Sequence, residues 1–151
     1  MFKSMGKRMD GNCYWLTPPE LLAQIRAEFG DYYDPCPFPR PKNYNGLEAE
    51  WGLVNYVNPP FGTVKENGKN IGISVWINKI LREQKKGKTS VLVYPQYSWV
   101  HLLLSAGAEM RSLGQIHWLS TEDGQPQKTS LPIVMFILRG IPRRFPRFVK
   151  R

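Results

Sequence analysis

Long apolar runs are absent from this 151-residue chain: no stretch approaches the roughly 20 residues that a membrane-spanning helix needs. The N-terminus, MFKSMGKRMDGNCYW, holds no continuous apolar segment of signal-peptide type, so no membrane partner is implied and the chain reads as cytoplasmic. Cysteine is scarce. Cys13 and Cys36 are the only two, and without secretory context they read as reduced thiols; two cysteines make no zinc set, so neither a disulfide nor a metal is implied. His101 and His117 stand in no pattern with partners and are assigned no catalytic role. Acidic residues are outnumbered 21 to 12 by Lys and Arg, leaving a net charge of +9. That excess favours an anionic partner, with nucleic acid the first choice.

What is present suffices for one domain. With 42% hydrophobic residues the chain can bury a single sizeable core. We expect a polar, basic N-terminal arm over 1–13, a domain over 14–140 and a basic tail over 141–151. A core this small gains from dimerisation, so a homodimer is a partner expectation. Thr17-Pro18-Pro19-Glu20 has capping-box spacing, with Thr17 as N-cap, and Leu21, Leu22, Ile25 and Phe29 continue a helical period to the stop at Gly30. The spacing predicts a helix over 17–29. Asp31 to Asp34 reads as a strand end, broken by DPCPFPRP, where four prolines in eight residues forbid regular structure.

A strand is expected over 53–57, a flexible segment over 62–72 in which Gly68 and Gly72 allow closure over a substrate, and an amphipathic helix through Ile73, Trp76, Ile77, Ile80, Leu81 and Gln84. TSVLVY (89–94) and LPIVMFIL (131–138) are continuous apolar runs of the kind buried on both faces of a sheet, a helix is expected over 98–106 and a strand over 115–119. Strands alternating with helices predict an α/β sandwich with a mostly parallel sheet, whose ligands sit at the carboxyl ends of the strands.

At one such end stands VNPPFG. An exocyclic amine on a base has its lone pair delocalised into the ring, so attack on an electrophile requires the nitrogen to move toward sp3 geometry. Two fixed acceptors assist. The side-chain oxygen of Asn58 and the carbonyl of Pro59 can each accept one N–H, while Pro59-Pro60 makes the carbonyl rigid and Phe61 offers a ring for an extruded base. Lys65 and Lys69 flank the following loop, and Arg143, Arg144 and Arg147 are interleaved with Phe145 and Phe148 in a tail with no acidic residue. Both sets suit contact with nucleic acid.

NPPF is similar to the Asp/Asn/Ser-Pro-Pro-aromatic motif of S-adenosylmethionine-dependent amino-methyltransferases. The order TPPELL, DPC, NPPFG, a helix with Trp76, then VLVYP resembles the small phage-type DNA N6-adenine methyltransferases over about 15–139. The resemblance implies a shortened Rossmann-like methyltransferase sandwich, an enzyme that flips adenine out of DNA and methylates it directly, and a bacterial or phage-infected host cell. It also implies S-adenosylmethionine as cofactor, held by Trp15, Thr17, Pro18, Asp34, Pro35 and Cys36. The departures are equally definite. The turn at Asp34 lacks the usual glycines, and residues 35–57 are too few for two complete βα units. The carboxylate for the cofactor ribose stays unassigned, with Glu48 and Glu50 as candidates. The alternatives are an amino-methyltransferase acting on N4 of cytosine or on RNA, and a catalytically inactive nucleic-acid-binding relative.

Overall fold

The structure is a computed structural model that describes residues 14–95, 98–128 and 132–142. The arm over 1–13 with Cys13, and the tail cations Arg143, Arg144 and Arg147, lie outside the described residues. Along the chain run β1 (Trp15–Leu16), α1 (Pro19–Phe29), β2 (Val54–Val57), β3 (Val64–Glu66), β4 (Lys69–Ile71), α2 (Ile73–Lys85) and β5 (Thr89–Pro95). They are followed by α3 (Val100–Ser105), β6 (Glu109–Gly114), β7 (His117–Ser120), β8 (Pro126–Lys128) and β9 (Ile133–Leu138).

The mostly parallel Rossmann-like sandwich does not form. In the central sheet, ordered β2-β5-β9-β6, only β2 and β5 make a parallel ladder, extended by a single parallel bridge from Tyr33 to Asn55. Strand β9 runs antiparallel to both β5 and β6, and the two small sheets, β1-β7-β8 and β3-β4, are antiparallel throughout. The result is a small α/β protein with mixed and antiparallel sheets. The reason lies in the connections. Parallel neighbours need a crossover, usually a helix, whereas the described residues between β6 and β9 form β7 and β8 instead, so β9 returns against β6 rather than alongside it.

Helix α1 is also started differently from the capping-box expectation. Pro18 is the N-cap residue, its carbonyl accepts the N–H groups of Leu21 and Leu22 at 3.1 and 3.2 Å, and no side chain caps the helix. Pro19 needs no partner because it has no N–H. Thr17 is thereby released for other bonds.

The segment 62–72 forms a hairpin rather than a loop. Asn67 (φ 49°) and Gly68 (φ 75°) both occupy left-handed backbone, as a type I′ turn requires, and Val64, Lys65 and Glu66 pair with Ile71, Asn70 and Lys69. Helix α2 brings one buried carboxylate to the far end of the central sheet. Glu83, with no exposed side-chain surface, lies 3.0 Å from Lys79, 3.0 Å from Lys86 and 3.3 Å from Lys88. Lys79 also donates to the Ala49 carbonyl and Lys88 to that of Trp51, so this hub ties the irregular chain before β2 to α2.

Candidate functional site

The two proline-bearing motifs leave neighbouring strands in the same direction. Tyr33 exchanges backbone bonds with the β2 strand (Tyr33 N–H to Val54 O and Tyr56 N–H to Tyr33 O, both 2.9 Å), after which the chain turns through Asp34, Pro35 and Cys36. Strand β2 ends one residue before Asn58. The DPC turn and the NPPF corner therefore stand side by side at carboxyl ends of co-directed backbone, and the Asn58 N–H faces the Cys36 sulfur.

The orientation of Asn58 follows from its neighbours. Its Nδ2 lies 2.8 Å from the Trp15 carbonyl, and a carbonyl only accepts, so the amide nitrogen must face it. The second Nδ2 donor goes to Thr17 Oγ1 at 3.2 Å, and Thr17 in turn bonds the buried Tyr56 hydroxyl at 2.6 Å. Burial pushes the Tyr56 phenol well above its ordinary pKa, against the pull of Thr17, so it stays neutral. With both donors engaged, Asn58 keeps its side-chain oxygen for a further group. Thr17→Val removes the hydroxyl at nearly constant shape and strips the buried Tyr56 OH of that bond, so it should cost roughly 1–3 kcal/mol in a denaturant titration.

Beside the corner is a small, partly open pocket lined by Pro35, Cys36 and Pro60 together with Ile71 and Trp76. Its lining mixes apolar side chains with the polar groups of Tyr14, Arg40, Tyr44, Asn45 and Glu66. Asp34 stays open to solvent and shapes the turn: its Oδ1 accepts the Cys36 N–H at 2.8 Å. Burial, reinforced by the Asp34 charge, pushes the Cys36 thiol far above its usual pKa despite the Asn58 N–H. It is therefore a neutral packing group at physiological pH. Gly46 lines the pocket so close to the Pro35 backbone that a Cβ there would sit 1.8 Å from the Pro35 carbonyl oxygen, a contact only glycine allows. At the exposed rim Arg40 donates to Glu66 at 2.5 Å, joining the DPC segment to the hairpin.

The expected site residues are thus divided. Pro35, Cys36 and Pro60 line the pocket, while Trp15 and Thr17 position Asn58 and Pro18 opens α1. Pro59 is buried between them. Phe61 is only 2% exposed, wedged edge-to-face against Tyr94 and Trp118 at 5.4 and 5.3 Å, so its ring presents no open stacking face in this arrangement. Lys65 and Lys69 are exposed on the hairpin. Glu50 is occupied by an ion pair with Lys88 and does not line the pocket, and neither does Glu48. Sequence reasoning passed over Arg40, Glu66 and Tyr56. The Asn-Gly pair at 67–68 was the one signal that locates Glu66, because it folds the hairpin onto the pocket. Comparison with protein-family models, curated proteins and solved structures found no match.

Proposed function

We propose that the protein is a methyltransferase that uses S-adenosylmethionine to methylate the N6 amine of adenine in DNA, in the cytoplasm of a bacterial or phage-infected cell. The observation that carries this reading is that the DPC turn and the NPPF corner stand side by side at the carboxyl ends of co-directed backbone, with Pro35, Cys36 and Pro60 lining one pocket and Asn58, beside it, held so that its oxygen is free to accept. S-adenosylmethionine supplies an electrophilic methyl group when bound, and Pro35, Cys36 and Trp76 are the residues of the pocket wall that would hold it. Asn58 Oδ1 and the Pro59 carbonyl accept the two N–H bonds of the incoming amine and aim its lone pair. Both are neutral, so they orient and polarise the amine rather than remove its proton, which passes to solvent after transfer. Stacking on Phe61 requires that ring to swing outward or Trp118 to withdraw.

The burial of Phe61 favours one rival, a nucleic-acid-binding relative without catalysis. Incubation of defined DNA duplexes and RNAs with methyl-labelled S-adenosylmethionine, followed by nucleoside analysis, separates the readings. N6-methyladenine from DNA is the expected product. N4-methylcytosine or labelled RNA would overturn the choice of target, and duplex binding with neither product nor cofactor affinity would establish the rival.

A further inference from the structure

We propose that the β3–β4 hairpin is a two-stranded ribbon that enters the major groove of duplex DNA, with Asn70 reading a base edge and Lys65 contacting backbone phosphate. The proposal rests on the reading of DNA as the substrate and adds the element that recognises it.

The alternation of a strand divides the hairpin into two faces. Val64, Glu66 and Ile71 turn inward and line the pocket, and Glu66 is tied down by Arg40. An isolated two-stranded hairpin is at best marginally stable in water, so this inward face is what holds it in place. Lys65 and Asn70 form a directly opposed cross-strand pair on the other face, and both are exposed. Asn67 and Lys69, at or beside the tip, are exposed as well. By the same alternation Lys69 shares the face of its partner Glu66 and reaches solvent at the ribbon's end, so the outward face offers the Asn70 amide and the Lys65 cation, and no carboxylate stands opposite Lys65.

Shape and charge both suit duplex DNA. Two strands spaced about 4.8 Å apart fit a major groove about 12 Å wide, and among the described residues the ribbon pairs with no other strand, so its outer backbone edges stay available to phosphate. The chain's net charge of +9 supplies the attraction. Asparagine matches adenine's N7 acceptor and N6 donor in a bidentate pair. Only Gly62 and Thr63 separate Phe61 from β3, so a duplex gripped by the ribbon is held beside Asn58.

The test is fluorescence anisotropy of the full chain with the duplex site bound most tightly out of a randomised duplex pool and its single-base-pair variants, over a series of salt concentrations. Lys65→Ala should weaken binding to every duplex and reduce the slope of log affinity against log salt by about 0.9, with Lys65→Arg restoring it. Asn70→Ala should lower discrimination at one base-pair position by roughly 10-fold or more while leaving other positions unchanged. Wild-type discrimination in Asn70→Ala together with an unchanged slope in Lys65→Ala overturns the ribbon, as does absence of duplex binding by the wild-type chain. The outcome is separable from that of the proposed reaction. Methylation with indifferent hairpin variants sinks the ribbon alone, whereas the expected binding changes without methyl product sink the reaction alone.

Discussion

Asn58→Ala should lower kcat/KM for methyl transfer by about 10²–10³-fold, the size of effect seen when one preorganised group that stabilises developing transition-state charge is removed. The oxygen lost is the group that the Trp15 carbonyl and the Thr17 hydroxyl leave free by engaging both amide donors. Structural damage should be much smaller. Two hydrogen bonds disappear, but Asn58 is half-buried and Thr17 Oγ1 keeps its bond to the Tyr56 hydroxyl, so the stability change should stay near 1–2 kcal/mol. Measuring kcat/KM beside a denaturant titration and calorimetric binding of S-adenosylhomocysteine separates these effects. Retained cofactor-product affinity with lost turnover supports the role; intact methylation defeats it. Equal loss of cofactor affinity and turnover would mean that Asn58 shapes the pocket instead of the amine.

Much of the local structure was legible because periodicity and proline are local signals. The apolar spacing of Ile73, Ile77, Ile80 and Leu81 marked α2, and Pro59-Pro60 marked the end of β2. Strand direction was not legible. An apolar run such as Ile133–Leu138 is buried whichever way it runs, and its polarity shows only in the lack of a crossover helix among the described residues after β6. Thr17 misled for a related reason. Its spacing to Glu20 satisfies the capping box, but Pro18 and Pro19 already begin the helix, and the bonds available to Thr17 from Tyr56 and Asn58 depend on residues about 40 positions away. Phe61 could be recognised as an aromatic after two prolines; that Trp118 encloses it depends on the three-stranded sheet, which no local pattern announces.

Glu83→Ala should be among the most destabilising single substitutions, at about 3–5 kcal/mol, because it leaves the buried Lys79 cation without a counter-ion and Lys88 with only the exposed Glu50. Lys79 and Lys88 have side chains only 9% and 11% exposed, and Lys79 has no other carboxylate within ion-pair distance among the described residues. The carboxyl itself feels opposing influences. Burial raises its pKa, but hydrogen bonds from Lys86, Lys79 and Lys88 outweigh that and bring it down to about 2. A carboxyl depressed from its ordinary 4.5 stabilises the fold fully above about pH 4.5, and that contribution is lost as pH falls through about 2. Denaturant midpoints of the wild type should therefore decline between about pH 5 and pH 2, and Glu83→Ala should show a flatter decline from a lower start. Parallel curves with a constant offset would mean that Glu83 acts through packing alone. The loss should also reach the pocket, since the same lysines fasten Ala49 and Trp51 to α2 while the Trp51 indole donates to the Gly46 carbonyl at 2.7 Å. Loosening that chain releases the close contact of Gly46 with Pro35 in the pocket lining, so S-adenosylhomocysteine affinity should fall in Glu83→Ala even at temperatures where the protein remains folded.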